Sequence, residues 1–431
     1  LKKKAAGLNN AKIEDFVLQG EITNAPPTRY VLAQHRAKNY TIRATSKKQV
    51  VELGLKQRLR DEMRLLTIMQ GDKKHVPIAL QTMEDDSYIY SIYPTRTACL
   101  LSTLLEDEDE GHFTEPVAMF YTACLVEALE HLHNEAQSTG GVIYRNLCPS
   151  GISINESGYP QLLDMRFATI AEPPPRDYCG FAHYLSPEQV SGLGHALPSD
   201  FWQLGVLVYE MVTAGNPWLT GDPAKDSEVA VFNRITSHKA GEIRFPDGIE
   251  LSSGLIKLIN GLMEPNVAKR LGSKNEQMAA GYAFQQIREH EWFKENFKDP
   301  RSGEPNFAKL HAGTLVSPHK SSAEQYISAC IAQNSNERQS SVRDNYFDEV
   351  YEGEDDFEGV APTAPTYGRR ASKNIAEVVM EAARKKQRKA ELEKKKETRM
   401  QRAEKRMKGD EGAGEEGAGE EGASQLSMKE Q

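Results

Sequence analysis

Three things are scarce in these 431 residues, and each scarcity removes a class of protein. Cysteine is the first: Cys99, Cys124, Cys148, Cys179 and Cys330 form no C-x-x-C pair and no regular framework. Disulfide scaffolds and structural zinc sites need such spacing, so reduced thiols in a cytosolic compartment are expected. Long apolar runs are the second. The strongest, Phe201–Val212, is interrupted by Gln203 and Glu210 and is shorter than the ~18 residues that cross a bilayer. Positive charge is the third: 62 acids against 53 bases leave a net charge of −9, which argues against a protein that coats nucleic acid with its whole surface. No apolar stretch follows the Lys2-Lys3-Lys4 run, so no signal peptide is expected at Leu1.

What is present is enough for a sizeable core, with 39% hydrophobic residues. Residues 12–300 show apolar periodicity, scattered Gly and Pro, and mixed charge. Tyr30–Ala33, Tyr40–Ala44 and Tyr88–Tyr93 are short, aromatic and β-branched, and read as strands. Glu115–His133 and Ser199–Thr213 are longer and carry helical spacing, the second opening on Ser199-Asp200 as an N-cap signal. The expected fold class is therefore α+β, a sheet-rich lobe followed by a helix-rich one. After Pro300 the apolar content thins. Asp344–Glu358 holds eight acids and no base, a composition that docks on a folded body or stays mobile. Ala361–Tyr367 is a Pro/Thr linker, within a connecting stretch 361–371. Residues 372–408 read as one long polar helix, with thirteen bases against four acids over Arg384–Lys408, a net +9. Residues 409–431 are an acidic, Gly-rich repeat expected to be disordered.

Several ordered segments carry a resemblance. Val142-Ile143-Tyr144-Arg145-Asn146-Leu147-Cys148-Pro149-Ser150-Gly151 looks like a protein-kinase catalytic loop, and Leu163-Asp164-Met165-Arg166 follows at the spacing of the metal-binding motif. Cys179-Gly180-Phe181-Ala182-His183-Tyr184-Leu185-Ser186-Pro187-Glu188 is similar to the end of an activation segment. Asp200-Phe201-Trp202-Gln203-Leu204-Gly205-Val206 and Lys269-Arg270-Leu271-Gly272 complete the order. Arg244-Phe245-Pro246 and Glu291-Trp292-Phe293 most resemble the cyclic-nucleotide-dependent, AGC-type branch of the Ser/Thr kinases. The resemblance implies a bilobal fold, a β-rich N-lobe over about 12–95 and a helical C-lobe over about 96–300. It also implies an AGC-type tail over 301–360, in which Phe347-Asp348-Glu349-Val350-Tyr351 is similar to the segment that this branch lays across its own nucleotide cleft.

Phosphoryl transfer depends on positioning and charge neutralisation, which requires glycines over the phosphates, a Lys paired to a helix Glu, a base-like Asp and two metal ligands. The glycine loop reads Gly20-Glu21-Ile22-Thr23-Asn24-Ala25-Pro26-Pro27-Thr28, where the lone Gly20 restores no G-x-G-x-x-G. The family's strand Lys falls on Arg43, nineteen residues before Glu62 at the helix Glu position, so an Arg43–Glu62 structural pair is expected. Asn146 replaces the proton-accepting Asp, Cys148 the loop Lys, and Gly151 the second metal ligand. Only Asp164 of the metal set remains, and Ser153 stands where the family packs an apolar floor under adenine.

The structural parts are kept. Arg145, Glu188, Asp200 and Arg270 match the family, the Glu188–Arg270 pair bracing the helical lobe. Leu66, Tyr144 and Met165 supply an apolar stack between lobes, and Asp177 stands where the family carries a phosphorylated Thr, offering Arg145 a permanent carboxylate. The expectation is a degenerate kinase, a pseudokinase without Ser/Thr kinase activity that acts as a scaffold or regulatory subunit. No cofactor is expected, with weak Mg-ATP through Asp164 at most. Asp164 then has little left to coordinate. The alternatives are an atypical active kinase using displaced groups and an ATP-sensing module. Protein partners are expected, among them an active basophilic kinase acting on Ser372 in Arg369-Arg370-Ala371-Ser372, or an acidic cytoskeletal lattice met by the basic helix. A nucleic-acid partner is not expected, and the implied location is cytoplasmic or cytoskeletal, the cilium included.

Overall fold

The computed structural model describes residue 8 and residues 11–69, 74–135, 140–273 and 282–334. The expectations placed on 344–358, on 361–371, on the basic helix with Ser372 and on the acidic tail lie outside the described residues.

The first lobe is an antiparallel sheet of β1 (Val17–Ala25), β2 (Thr28–His35), β3 (Lys38–Ser46), β4 (Gln81–Glu84) and β5 (Tyr88–Tyr93), in the order β1-β2-β3-β5-β4. Side chains alternate faces along each strand and directly paired residues share a face. Val31, Ala33, Tyr40, Ile42, Ala44, Tyr88, Tyr90 and Ile92 therefore bury one face together with Ile13 and Phe16. Tyr30, Thr41, Arg43, Thr45, Ile89 and Tyr93 take the other. That face receives α1 (Lys47–Glu52) and α2 (Lys56–Ile68), through a cluster of Val50, Leu59 and Ile89.

Pro94, Thr95 and Arg96 connect this lobe to the second. There β6 (Thr97–Leu100) pairs with β8 (Ser153–Asn155), which pairs with β9 (Pro160–Gln161), while β7 (Val142–Ile143) pairs with β10 (Thr169–Ile170). The helices are α3 (Leu101–Glu106), α4 (Glu115–Asn134), α5 (Pro187–Val190), α6 (Pro198–Thr213), α7 (Glu228–Ser237), α8 (Ser253–Leu262), α9 (Tyr282–Arg288), α10 (Glu291–Asn296), α11 (Asn306–His311) and α12 (Lys320–Asn334). The apolar run Phe201–Val212 is the interior of α6, buried on nearly every side. No helix among the described residues is long and apolar enough to cross a membrane.

One boundary differs from the sequence expectation. Helix α6 starts at Pro198, whose fixed φ and missing N–H suit a first helical position, so Ser199 and Asp200 lie inside the first turn and cap nothing. Ser199 donates to the Ala196 carbonyl instead, and Asp200 turns away to the loop after β7.

Candidate functional site

The cleft between the lobes is built first by strand β3. Arg43 projects from the face opposite the sheet's apolar core and meets Glu62 of α2 through a two-pronged pair, one arm at 3.0 Å. Both side chains are at most 2% exposed. A guanidinium fork matches a carboxylate at two points, so the strand and helix are tied with defined geometry.

Above the cleft, the β1–β2 hairpin turns on Pro26 and Pro27. Proline carries no backbone N–H, so the tip has no amide to offer a phosphate at these two positions. Gly20 serves a different purpose. A Cβ there would lie 2.2 Å from Cys330 Sγ and 2.8 Å from the Cys330 carbonyl oxygen, so the bare backbone admits helix α12 against β1. Cys330 Sγ in turn donates to the Glu21 carbonyl at 3.4 Å. The described part of the segment after Pro300 is thus docked on the body by a helix, with Ala323 and Ile327 buried.

The loop after β7 holds Arg145 in a left-handed conformation, φ 61°. Asp200 stabilises it by accepting the Tyr144 and Arg145 amides, both at 2.8 Å, and its second role is a 2.9 Å contact with His133 Nε2. Asn146 is buried, its amide reaching the Asp164 carbonyl at 3.4 Å. Its backbone and side chain both crowd Gly151: a Cβ there would be 2.3 Å from the Asn146 backbone carbonyl oxygen and 3.0 Å from its Cγ. In this conformation Gly151 leaves no room for a side chain. Burial pushes the Cys148 thiol up to about 11, a poor nucleophile. Ser153 is satisfied within its own sheet, donating to the Gln161 carbonyl at 3.0 Å.

Asp164 lies between two cations. Arg166 Nε stands 2.6 Å from one carboxylate oxygen and Arg43 Nη2 stands 3.7 Å from the other. Burial alone would raise this carboxyl, but Arg166 and then Arg43 outweigh it and hold it below the ordinary carboxylate range. Arg166 also crosses between lobes, donating to Thr28 Oγ1 at 2.7 Å.

Asp177 gathers three elements. Its carboxylate accepts from Arg145 Nη1 at 2.7 Å and from Arg58 of α2 at 3.3 Å, while Arg58 also donates to the Tyr178 carbonyl. Burial would raise the Asp177 carboxyl; Arg145 and then Arg58 reverse the sign and hold it low. Glu188 and Arg270 form a buried two-pronged pair at 2.7 and 2.9 Å, and Arg270 further reaches the Pro198 and Glu264 carbonyls. Of the expected inter-lobe stack, Tyr144 and Met165 are fully buried and Leu66 only partly. Tyr30, Tyr93 and Leu163 also pack together where the lobes meet, and Tyr93 donates to the Leu163 carbonyl at 3.4 Å.

Three residues of this cleft escaped the sequence reasoning: Tyr30, Thr41 and Arg166. Thr41 Oγ1 donates to the Thr95 carbonyl and accepts the Thr97 amide, each at 2.8 Å, so one hydroxyl occupies two backbone groups of the connector. A large cation in the third position of the metal-binding motif was the available signal for Arg166. Nothing in the local sequence marks Tyr30 or Thr41.

Comparison with known proteins matches this architecture. The chain is 29% identical over 259 residues to a cGMP-dependent protein kinase of Drosophila melanogaster (isozyme 2, forms cD5/T2), covering 60% of this chain and 25% of that protein. It is 28% identical over 255 residues to human cGMP-dependent protein kinase 2, covering 59% and 30%. It is 29% identical over 287 residues to a cAMP-dependent protein kinase catalytic subunit of Arthrobotrys oligospora, covering 66% and 50%. The chain thus spans between a quarter and half of the length of these relatives. The profile described as protein kinase domain matches residues 28–293, more than half of the chain, which places this chain in the protein kinase family, beside its cyclic-nucleotide-dependent members.

Proposed function

We propose that this chain is a kinase-fold domain that transfers no phosphate and works by holding protein partners. The observation that carries the reading is the Asn146–Gly151 contact. An amide stands where a carboxylate would orient a substrate hydroxyl, and Asn146, its backbone oxygen foremost, crowds the position of a metal ligand. Magnesium and ATP, which the family implies, do not fit the residues present. Asp164 is neutralised by Arg166 and Arg43, the hairpin tip is Pro26-Pro27, and no second ligand exists at position 151. Losing one such group typically costs orders of magnitude in rate, and the losses fall on base, metal and phosphate anchor together.

What is retained supports a binding role. Arg43–Glu62, Asp177 with Arg145 and Arg58, Glu188–Arg270 and Asp200 all brace the fold. The reading extends to the rest of the chain: a tail over 301–360, a linker over 361–371, a basic helix over 372–408 that docks an acidic protein surface of cytoskeletal type, and Ser372 as the target of a basophilic kinase held in the same complex. The deciding experiment is transfer of radiolabelled phosphate from Mg-ATP to a basic peptide by the full chain, with Asp164→Ala as control. No transfer above that control is expected. Robust transfer abolished by Asp164→Ala overturns the reading in favour of an atypical active kinase.

A further inference from the structure

A nucleotide with its metal makes three kinds of contact in a two-lobed cleft: a flat face packed between the lobes, polar contacts to the connecting backbone, and a cation against the carboxylate of the metal-binding motif. Each of the three is made here by a side chain of the protein itself. The Tyr30 ring is buried against Tyr93 and Leu163, closing the seam between β2, β5 and the large lobe. The Thr41 hydroxyl takes both the Thr95 carbonyl and the Thr97 amide of the connector. The Arg166 guanidinium lies against Asp164 and reaches Thr28 on the opposite lobe.

The three positions work together because of strand geometry. Tyr30 pairs directly with Arg43, and Thr41 is two residues from Arg43 on the same strand, so all three share the face turned toward the large lobe. Arg166 enters from that lobe. Charge closes within the cluster: Arg43 and Arg166 against Glu62 and Asp164 sum to zero, so no further cation is needed to make burial tolerable. Beside Arg43 and Arg166, between the hairpin tip, α2 and Phe167, lies a cavity of about 20 Å³, room for little more than one water. Not every polar atom of the cluster is satisfied. The Tyr30 hydroxyl is buried with no hydrogen-bond partner, a cost accepted for the area its ring covers.

We infer that Tyr30, Thr41 and Arg166 form an internal surrogate for a bound nucleotide, holding the lobes closed with no ligand. The inference rests on the reading that this cleft serves no phosphoryl transfer. It adds that the cleft is filled by the chain and that closure is permanent. A partner therefore meets one fixed surface whatever the cellular nucleotide level.

The test uses the full chain and two measurements. In residue-resolved hydrogen exchange, Thr41→Val keeps shape and removes the hydroxyl, and the Thr97 amide is expected to exchange at least tenfold faster while the sheet amides of β2 and β3 keep their protection. In titration with a fluorescent ATP analogue and magnesium, the wild type is expected to show no saturable binding, and Tyr30→Val/Thr41→Ala/Arg166→Gly to gain at least a tenfold increase in affinity. Tyr30→Phe, which keeps the ring and removes the orphan hydroxyl, is expected to stay closed to the analogue. Unchanged Thr97 exchange in Thr41→Val, or a wild type that binds the analogue as tightly as the triple variant, overturns the surrogate. Should the triple variant fail to fold, the Thr41→Val exchange result decides alone. Phosphate transfer by the wild type would instead sink the proposed function, and is read in a separate assay.

Discussion

Replacing Asp177 by Asn removes one charge from the point where the activation segment, the loop after β7 and helix α2 meet. Arg145 is 4% exposed at its side chain, and Asp177 is its nearest carboxylate, at 2.7 Å. Removing one partner of a buried ion pair costs ~3–5 kcal/mol, because the other charge stays out of water. Two features reduce this. Asp177 is 35% exposed, so solvent already screens part of the attraction, and Arg145 keeps a 2.6 Å bond to the Phe167 carbonyl. The Arg58 arm is 27% exposed and adds only a few tenths of a kcal/mol. The expected loss is about 2 kcal/mol, read as a lowered urea midpoint with an unchanged slope.

The pH dependence adds a second constraint. The folded Asp177 carboxyl lies below its unfolded value of ~3.9, so its contribution is complete above that value and is lost as pH falls through the folded one. His195, 3.3 Å from Arg145, does not intervene, since burial and then Arg145 push it down to about 4. The gap between wild type and Asp177→Asn is therefore constant from pH 8 to pH 5. A phosphate in the same place would change charge near ~6. A gap under about 0.5 kcal/mol, the range of an exposed substitution, or one that shrinks between pH 7 and 5.5, refutes the reasoning.

Arg270→Ala should cost ~3–5 kcal/mol in chemical denaturation, since Glu188 is left buried and charged; Glu188→Met/Arg270→Met should recover much of it, and equal instability of both would mean that the pair is not the cause. Asp164→Ala should cost about 2 kcal/mol, less than Arg270→Ala because Arg166 can extend to solvent and Arg43 keeps Glu62; a neutral substitution would mean that Asp164 does not hold Arg166. Gly20→Val should destabilise by ~1–3 kcal/mol and expose α12 to protease first, as the added atoms meet the Cys330 backbone; unchanged protection of 320–334 would contradict the docking of α12 on β1.

How legible the molecule was depended on how far apart the interacting groups lie in the chain and whether a motif fixes their spacing. The α+β class followed from local composition and helical spacing, and β5 was read residue for residue at Tyr88–Tyr93, because a short aromatic and β-branched run is a local strand signal. The partners Arg43 and Glu62, Arg145 and Asp177, and Glu188 and Arg270 were all named from motif spacing, since a shared fold puts matched positions at matched places. The start of α6 was missed by one residue, because Pro198 and an Asp200 engaged elsewhere outweighed the capping signal.

By itself, then, the sequence determined the kinase-like scaffold, because it is read position by position along ordered motifs. Only the tertiary structure decided which side chains meet in the cleft. Thr41 meets the connector 54 residues away, Arg166 meets Thr28 across 138 residues, and Cys330 settles on β1 across 309. No local propensity encodes such meetings. They arise when the sheet's second face, the loop between β9 and β10 and helix α12 are packed into one body, where most buried polar groups find partners inside the protein.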